Sequence, residues 1–433
     1  MDLKETLSYA INTLLDKGMD DVEGMINEYE KKELNIEAGK ISLLRTTFSN
    51  SLRLEAIKDK KQSTISINKL DKQSINKSLE KLIVNVESSQ YDESNDISEY
   101  QNPEIFNKGS LKPDLDLMYD RLKNFNSYVK DKYKKVLLEA VTLDHNSSKS
   151  YILNSNGVDF NINKGMYGFS SMFTSKDGLN TSSFNYTGVE KLNLNKKLND
   201  YGHVSELLCQ SEEQVKSLPI KDKFLGEIIV TPHCLTEFIS FLDYSISDSA
   251  LISGTSIYKD KIGEKITNKN FTLTSNPVHE KIDSGYYITS DTYKSKNITL
   301  IQDGVLKTHL LSLYGSNKTG GKRVPNQGGN YMIEGSNSSF ENMIKDVKKG
   351  VLLCRFSGGS PSDNGDFSGV AKNSYYIENG KIMYPIIETM ISGNIAQMFL
   401  NIRNISYEKV DFGDCILPWI TFDGITISWK IKL

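Results

Sequence analysis

From Gly350 to Ile402 the chain reads GVLLCRFSGGSPSDNGDFSGVAKNSYYIENGKIMYPIIETMISGNIAQMFLNI. Turn residues this dense leave room only for short strands. Asn-Gly in I-E-N-G-K supplies the positive φ that a tight hairpin demands. Most of the chain beyond Ser253 follows the same pattern of short strands with Gly, Asn and Asp turns. One helix interrupts it. Ser338 and Glu341 read as its capping box, Phe340, Met343, Ile344 and Val347 as its apolar face, and Gly350 as its end. Ile416–Leu433 alternates as closing strands. The spacing therefore predicts a β-rich, barrel-like second half.

The first half mixes helices with strands. Leu3, Leu7, Ile11 and Leu14 recur at helical spacing over residues 2–17, and Gly18 offers a C-terminal cap. Ile41–Phe48, Leu52–Lys58 and Ser63–Asn68 read as an antiparallel meander with one wet face. Ile75, Leu79, Leu82 and Val86 mark a helix over Lys72–Val86. A further helix runs from Pro113, placed at its first position, to Val129. Leu137–Thr142, Lys149–Asn154 and Gly157–Asn163 read as strands, with a tight turn at Asn154-Ser155-Asn156-Gly157. A polar helix follows over Asp200–Lys216. Pro219 and its charged neighbours form a linker. Next come a strand at Gly226–Val230, Thr231-Pro232 as cap and first helical position, and a stripe of Leu235, Phe238, Ile239, Leu242 and Ile246. The fold class is α+β, with domains at 1–217 and 218–433, since a chain of 433 residues exceeds one ordinary core.

Hydrophobic residues make up 38% and charged residues 25%, which excludes general disorder. The net charge of −3 gives no overall attraction to nucleic acid. Basic runs such as Lys58-Asp59-Lys60-Lys61 are matched by nearby acids and read as solvated faces. The opening residues lack the basic and apolar regions of a secretory signal. No apolar run reaches the roughly 20 residues of a spanning helix, so no membrane contact is expected. The four cysteines, Cys209, Cys234, Cys354 and Cys415, form no C-x-x-C pair. A reduced, cytoplasmic chain is the expectation.

Few constellations here carry chemistry. His233 and Glu237 stand at i and i+4 of the predicted helix and share a face. A catalytic zinc takes three protein ligands, and no second histidine lies on that helix. A metal-dependent hydrolase using His233, Glu237 and Cys415 is the alternative to a solvated helical pair. Cys415, in F-G-D-C-I-L-P, reads either as a nucleophile or ligand or as a packed small hydrophobe. Ser360 fails the nucleophile-elbow pattern because Ser362 stands where Gly is required. S-N-K-T-G-G-K-R at 316–323 fails as a phosphate loop because Arg323 replaces the Ser or Thr that would hold magnesium. The polar segment from Phe356 to Gly369 reads as a mobile loop, freed by Gly358 and Gly359. Asp366, Phe367 and Ser368 on it are candidates for peptide or partner contact, with Phe367 as the apolar anchor.

G-D-F-S-G at 365–369, I-E-N-G-K-I at 377–382, Y-P-I at 384–386 and I-S-G-N at 391–394 resemble the TldD/PmbA family, once named modulators of DNA gyrase. The resemblance is sharpest from about residue 226 onward. It implies a protease assembly whose TldD-type subunit carries zinc on an H-E-x-x-x-H helix, with a cysteine near the C-terminus as third ligand. Here the corresponding helix reads T-P-H-C-L-T-E-F, and His233 is followed by Cys234. Cys415 lies in the matching C-terminal region. The resemblance therefore implies a PmbA (TldE)-type subunit with no catalytic residue or cofactor of its own. Zinc would belong to a TldD-type partner, and the substrate would be an unfolded peptide. A homodimer is the other assembly left open.

Overall fold

The computed structural model describes residues 2–37 and 39–429. Helix α1 (Leu3–Asp16) starts at Asp2. The Asp2 carboxylate accepts from the Glu5 amide while Glu5 accepts from the Asp2 amide, so two otherwise orphaned donors are satisfied. Strands β1 (Asp21–Glu37), β2 (Lys40–Lys58) and β3 (Lys61–Ile67) form the meander. β2 is one strand, not the two runs its composition suggested. Ser49, Asn50 and Ser51 look like a break, yet they pair with Tyr29, Glu28 and Asn27. Helix α2 (Lys72–Ser88) and strand β4 (Glu104–Lys108) follow. Helix α3 (Leu115–Lys132) is capped by Asp114, which accepts from the Leu117 amide, so Pro113 precedes the helix instead of opening it.

Strands β5 (Val136–Asn154) and β6 (Asp159–Asp177) are joined at the expected turn, where Gly157 takes φ +92°. β7 (Asn180–Thr181) and β8 (Asn185–Lys191) return along β6, and the sheet order is β3-β2-β1-β5-β6-β4. Alternation sorts the two faces. Val22, Ile26, Leu34 and Ile36 of β1 are buried in the clusters that hold α1, α2 and α3. Glu23, Met25, Asn27 and Tyr29 occupy the opposite face. Helix α4 (Val204–Glu213) is shorter than the expected 200–216, because single 3-10 turns flank it.

The second sheet begins with β9 (Phe224–Val230), followed by helix α5 (Pro232–Ser245). Its spine is Ile416–Trp429, which pairs with β9, Ile402–Asp411 and Thr389–Asn394 and meets Tyr331–Glu334 at one bridge. Residues 430–433, included in the expected closing strand, lie outside the described residues. The sheet is open, with Val305–Leu306 at one edge and Lys381–Pro385 at the other. The barrel-like expectation is corrected by this arrangement. Closure needs a continuous staggered ring, whereas the short strands here branch from one long strand. Helix Phe340–Asp346 is capped by Ser339, one residue later than the expected Ser338, and ends at Val347, short of Gly350. Among the described residues no helix is long and apolar enough to cross a membrane.

Hydrogen bonds join the two halves. The Glu190 amide of β8 donates to the Phe412 carbonyl at 2.9 Å, and the Lys108 ammonium of β4 donates to the Ile282 carbonyl at 2.6 Å. Phe106 of β4 stacks on Tyr287 with ring centroids 4.7 Å apart.

Candidate functional site

The N-terminus of α5 is fixed by its surroundings. The Thr231 amide donates to the Leu353 carbonyl at 3.0 Å, and the Thr231 hydroxyl donates to the Cys354 carbonyl at 3.2 Å. Pro232 then starts the helix without needing an N–H partner. This seats the His233 ring edge-on to Phe412, with centroids 4.9 Å apart. Its Nε2 lies 2.8 Å from the Gly202 carbonyl, so that nitrogen carries the proton and donates. Gly202 itself is left-handed at φ +55°, and a Cβ there would lie 2.8 Å from the Thr187 hydroxyl oxygen.

His233 and Cys415 line one cavity of about 190 Å³, together with Thr187, Cys354, Arg355 and Asp414. Glu237, one turn along α5, is exposed and does not line it. The structure thus brings together two of the three sequence candidates. Cys354 and Arg355 were not read from the sequence; no motif marks them. Burial holds the His233 imidazole down at about 4, so it is neutral at physiological pH. Burial also pushes the Cys354 and Cys415 thiols up, with Asp414 adding to the effect at Cys415. A reactive cysteine needs the opposite, a thiolate favoured by nearby positive charge. The Arg355 guanidinium sits 4.0 Å over the Phe184 ring, where a cation–π contact holds it. A catalytic zinc does not fit. Nε2 of His233 is spent on the Gly202 carbonyl, and the exposed Glu237 carboxylate lies outside the cavity that His233 and Cys415 share. Among the described residues no group of three His, Cys, Asp or Glu side chains could hold a metal ion.

The segment expected as a mobile loop is built as a hairpin. Arg355–Gly358 pairs with Asp366–Lys372, placing Gly358 opposite Gly369. Gly359 and Ser360 begin the exposed connection. Asp366 is exposed and accepts from the Asn364 and Asn394 side-chain amides at 3.0 and 2.9 Å. Ser368 also faces outward, while Phe367 is buried against Phe238 and Phe356. Alternation explains the difference: Phe367, Gly369 and Ala371 point inward, and the polar residues between them misled a reading by composition.

A second candidate is a cleft between the polar face of the first sheet and residues 285–292. It holds a cavity of about 380 Å³ lined by Glu23, Met25, Ile152, Ile162, Lys164 and Tyr287, among others. A cavity of about 680 Å³ adjoins it, sharing Glu23, Arg53, Glu55 and Ser290. Glu23 Oε2 accepts from the Thr292 hydroxyl at 2.7 Å. Thr292 adopts φ +53°, a costly conformation for a β-branched residue, and such strain concentrates at functional positions. Burial raises the Glu23 carboxyl to about 7 from 4.5, aided by Glu55 and Asp291 and opposed by the Thr292 hydroxyl and Arg53. The folded chain therefore holds this proton more tightly than the unfolded chain, and stability falls as pH rises from about 4.5 to about 7. Glu23→Gln keeps the acceptor for Thr292 and removes the buried charge. It is expected to stabilise the chain by about 1–3 kcal/mol at pH 8 and to change little at pH 4. Urea unfolding at the two pH values checks this, and equal effects at both would contradict it.

Comparison with known proteins agrees with the α+β architecture. Residues 225–429 match the family model described as the PmbA/TldA metallopeptidase C-terminal domain. TldE from Thermococcus kodakarensis superposes with a TM-score of 0.86 at 19% identity, over 98% of this chain and 100% of that one. Metalloprotease PmbA of Escherichia coli O157:H7 is 29% identical over 187 residues, 40% of this chain and 41% of PmbA. An uncharacterized protein of Methanocaldococcus jannaschii is 24% identical over 93% of this chain and 95% of its own length. The chain is thus similar to proteins of the PmbA/TldD family, and its residues 225–429 match that family's C-terminal domain.

Proposed function

We propose that this chain is the PmbA/TldE-type subunit of a TldD/PmbA metallopeptidase complex that acts on unfolded peptides, with zinc held by a TldD-type partner. The observation that carries this reading is His233 followed by Cys234, with the His233 Nε2 committed to the Gly202 carbonyl. A subunit of this kind works by shaping the chamber and holding extended peptide by strand addition to a sheet edge. Gly358, Gly359, Asp366 and Ser368 are its proposed contacts with peptide or partner, while Phe367 anchors their hairpin. The chain is proposed to divide near residue 217, with one sheet in each part.

The test is purification of the chain alone and with a TldD-type subunit from the same cell. The pure chain is expected to hold far less than one zinc per molecule and to leave casein intact, whereas the pair cleaves. Near-equimolar zinc lost on Cys415→Ser, or steady cleavage by the pure chain, would instead favour the independent hydrolase built on His233, Glu237 and Cys415.

A further inference from the structure

The first turn of α5 lines the cavity that His233 and Cys415 share, and no side chain caps it. The Thr231 hydroxyl stands where it could accept from an amide of that turn, but it donates to the Cys354 carbonyl. The Cys234 and Leu235 amides both turn to the Thr231 carbonyl at 3.0 Å. Pro232 has no N–H, which leaves the His233 amide without a partner among the described residues. The positive end of a helix with a free amide attracts negative charge.

A second observation stands apart from the helix. Asn185 of β8 lines the same cavity and is 5% exposed. Its Oδ1 accepts from the Tyr186 amide at 3.0 Å, which fixes the orientation of the side chain. Its Nδ2 is buried without a partner. Buried donors are nearly always paired, so an orphan beside a cavity points to an acceptor that fills it. Arg355 adds the charge. Its Nη1 donates to the Phe184 carbonyl, and its other N–H groups have no hydrogen-bond partner among the described residues. Nor does a carboxylate pair with it there. Burial pulls the guanidinium below its usual range. Two hydrogen bonds gather these donors. Thr231 to Cys354 sets the first turn of α5 one residue from Arg355, and Arg355 to Phe184 sets the guanidinium one residue from Asn185.

We propose that this cavity binds a phosphate group, held by the Arg355 guanidinium, the Asn185 side-chain amide and the His233 main-chain amide. Donors from three separate elements suit a tetrahedral anion better than a carboxylate, which has only two oxygens. The volume of about 190 Å³ has room for phosphate with a small substituent. Asp414 lines the cavity as well and opposes the anion, but it is exposed and water screens it. The proposal goes beyond the reading as a complex subunit. It gives the cavity an occupant other than a metal and needs no partner chain.

The experiment is isothermal titration of the pure chain with inorganic phosphate, phenyl phosphate and acetate, at constant ionic strength and with a chelator present. Phosphate is expected to bind and acetate to bind about tenfold more weakly or worse. Tighter binding of phenyl phosphate would assign the site to small phosphate monoesters, and tighter binding of phosphate to the free ion. Arg355→Met and Asn185→Leu are each expected to weaken phosphate, the first by about tenfold or more. Asp414→Asn is expected to tighten it about twofold or more, since a like charge is removed. No binding of either phosphate at about 10 mM, acetate binding as well as phosphate, or Arg355→Met matching the parent would each overturn the proposal. If a variant fails to fold by its melting curve, the exposed Asp414→Asn change and the acetate comparison still decide. Phosphate bound only when zinc replaces the chelator would overturn both this proposal and the subunit reading, whereas a zinc-free chain that ignores phosphate overturns this one alone.

Discussion

Replacing Phe367 with Ala is expected to destabilise the chain by about 3–5 kcal/mol, the cost of removing a buried aromatic ring and leaving its cavity. The ring is 5% exposed and belongs to the main core of the second sheet. It meets Phe238 of α5 edge-on at 5.5 Å and Phe356 across the hairpin at 5.9 Å. No polar group can relax into the space left by an alanine there. The neighbouring change Asp366→Ala removes an exposed carboxylate with two amide donors, and its expected cost is below about 1 kcal/mol. Chemical unfolding of both variants gives the comparison. If Phe367→Ala unfolds within about 1 kcal/mol of the parent, the hairpin is a surface feature and the assignment of Phe367 to the core is wrong.

Gly413→Ala should be the most damaging change at the junction of the two sheets. Gly413 has φ +95°, and a Cβ there would lie 1.7 Å from the Glu190 carbonyl oxygen of β8. The atoms that the new Cβ would meet are all main chain of Glu190, so no side chain can swing aside. The turn must move, and with it Phe412, which packs on His233 and accepts from the Glu190 amide. The left-handed conformation alone costs an ordinary residue about 1–3 kcal/mol, and the clash adds to it. A loss of about 3 kcal/mol or more is expected. Limited trypsin digestion should then cut at Lys221 or Lys223, between the sheets, faster than in the parent. A variant with parental melting and digestion would show that the junction tolerates a side chain.

Helices were more legible in the sequence than strands. Leu3, Leu7, Ile11 and Leu14, or Leu235, Phe238, Ile239 and Leu242, repeat at a spacing that only a helix satisfies. β2 and β5 were each read as broken runs, because the polar face of the sheet carries Ser, Asn and Thr where a turn would also place them. The segment around Phe367 was read as a loop for the same reason: composition hid the alternation that pairs Asp366–Lys372 with Arg355–Gly358. At the candidate site, His233 and Cys415 were singled out by residue type and by family resemblance. Cys354 and Arg355 join them only because Lys349–Leu353 runs beside β9, a pairing that no local pattern announces. Glu23 and Lys164 were invisible for a stronger reason. Their relation depends on the register of both β1 and β6 against β5.

The spine Ile416–Trp429 also bears on the order in which the molecule assembles. β9 and α5 come early in the second half of the chain, yet the strand that flanks β9 on one side comes from its far end. Until those residues arrive, β9 has only Lys349–Leu353 for a neighbour, and its other row of amides and carbonyls stays open. Contacts so distant in sequence close slowly, because loop entropy must be overcome before any pairing rewards it. During that interval the α5 helix lacks the surface it packs against, and the half-built sheet is open to mispairing with another chain. The His233 environment is therefore complete only once Phe412 and Cys415, which precede the last long strand, are brought to α5 by the pairing of Ile416–Trp429 with β9.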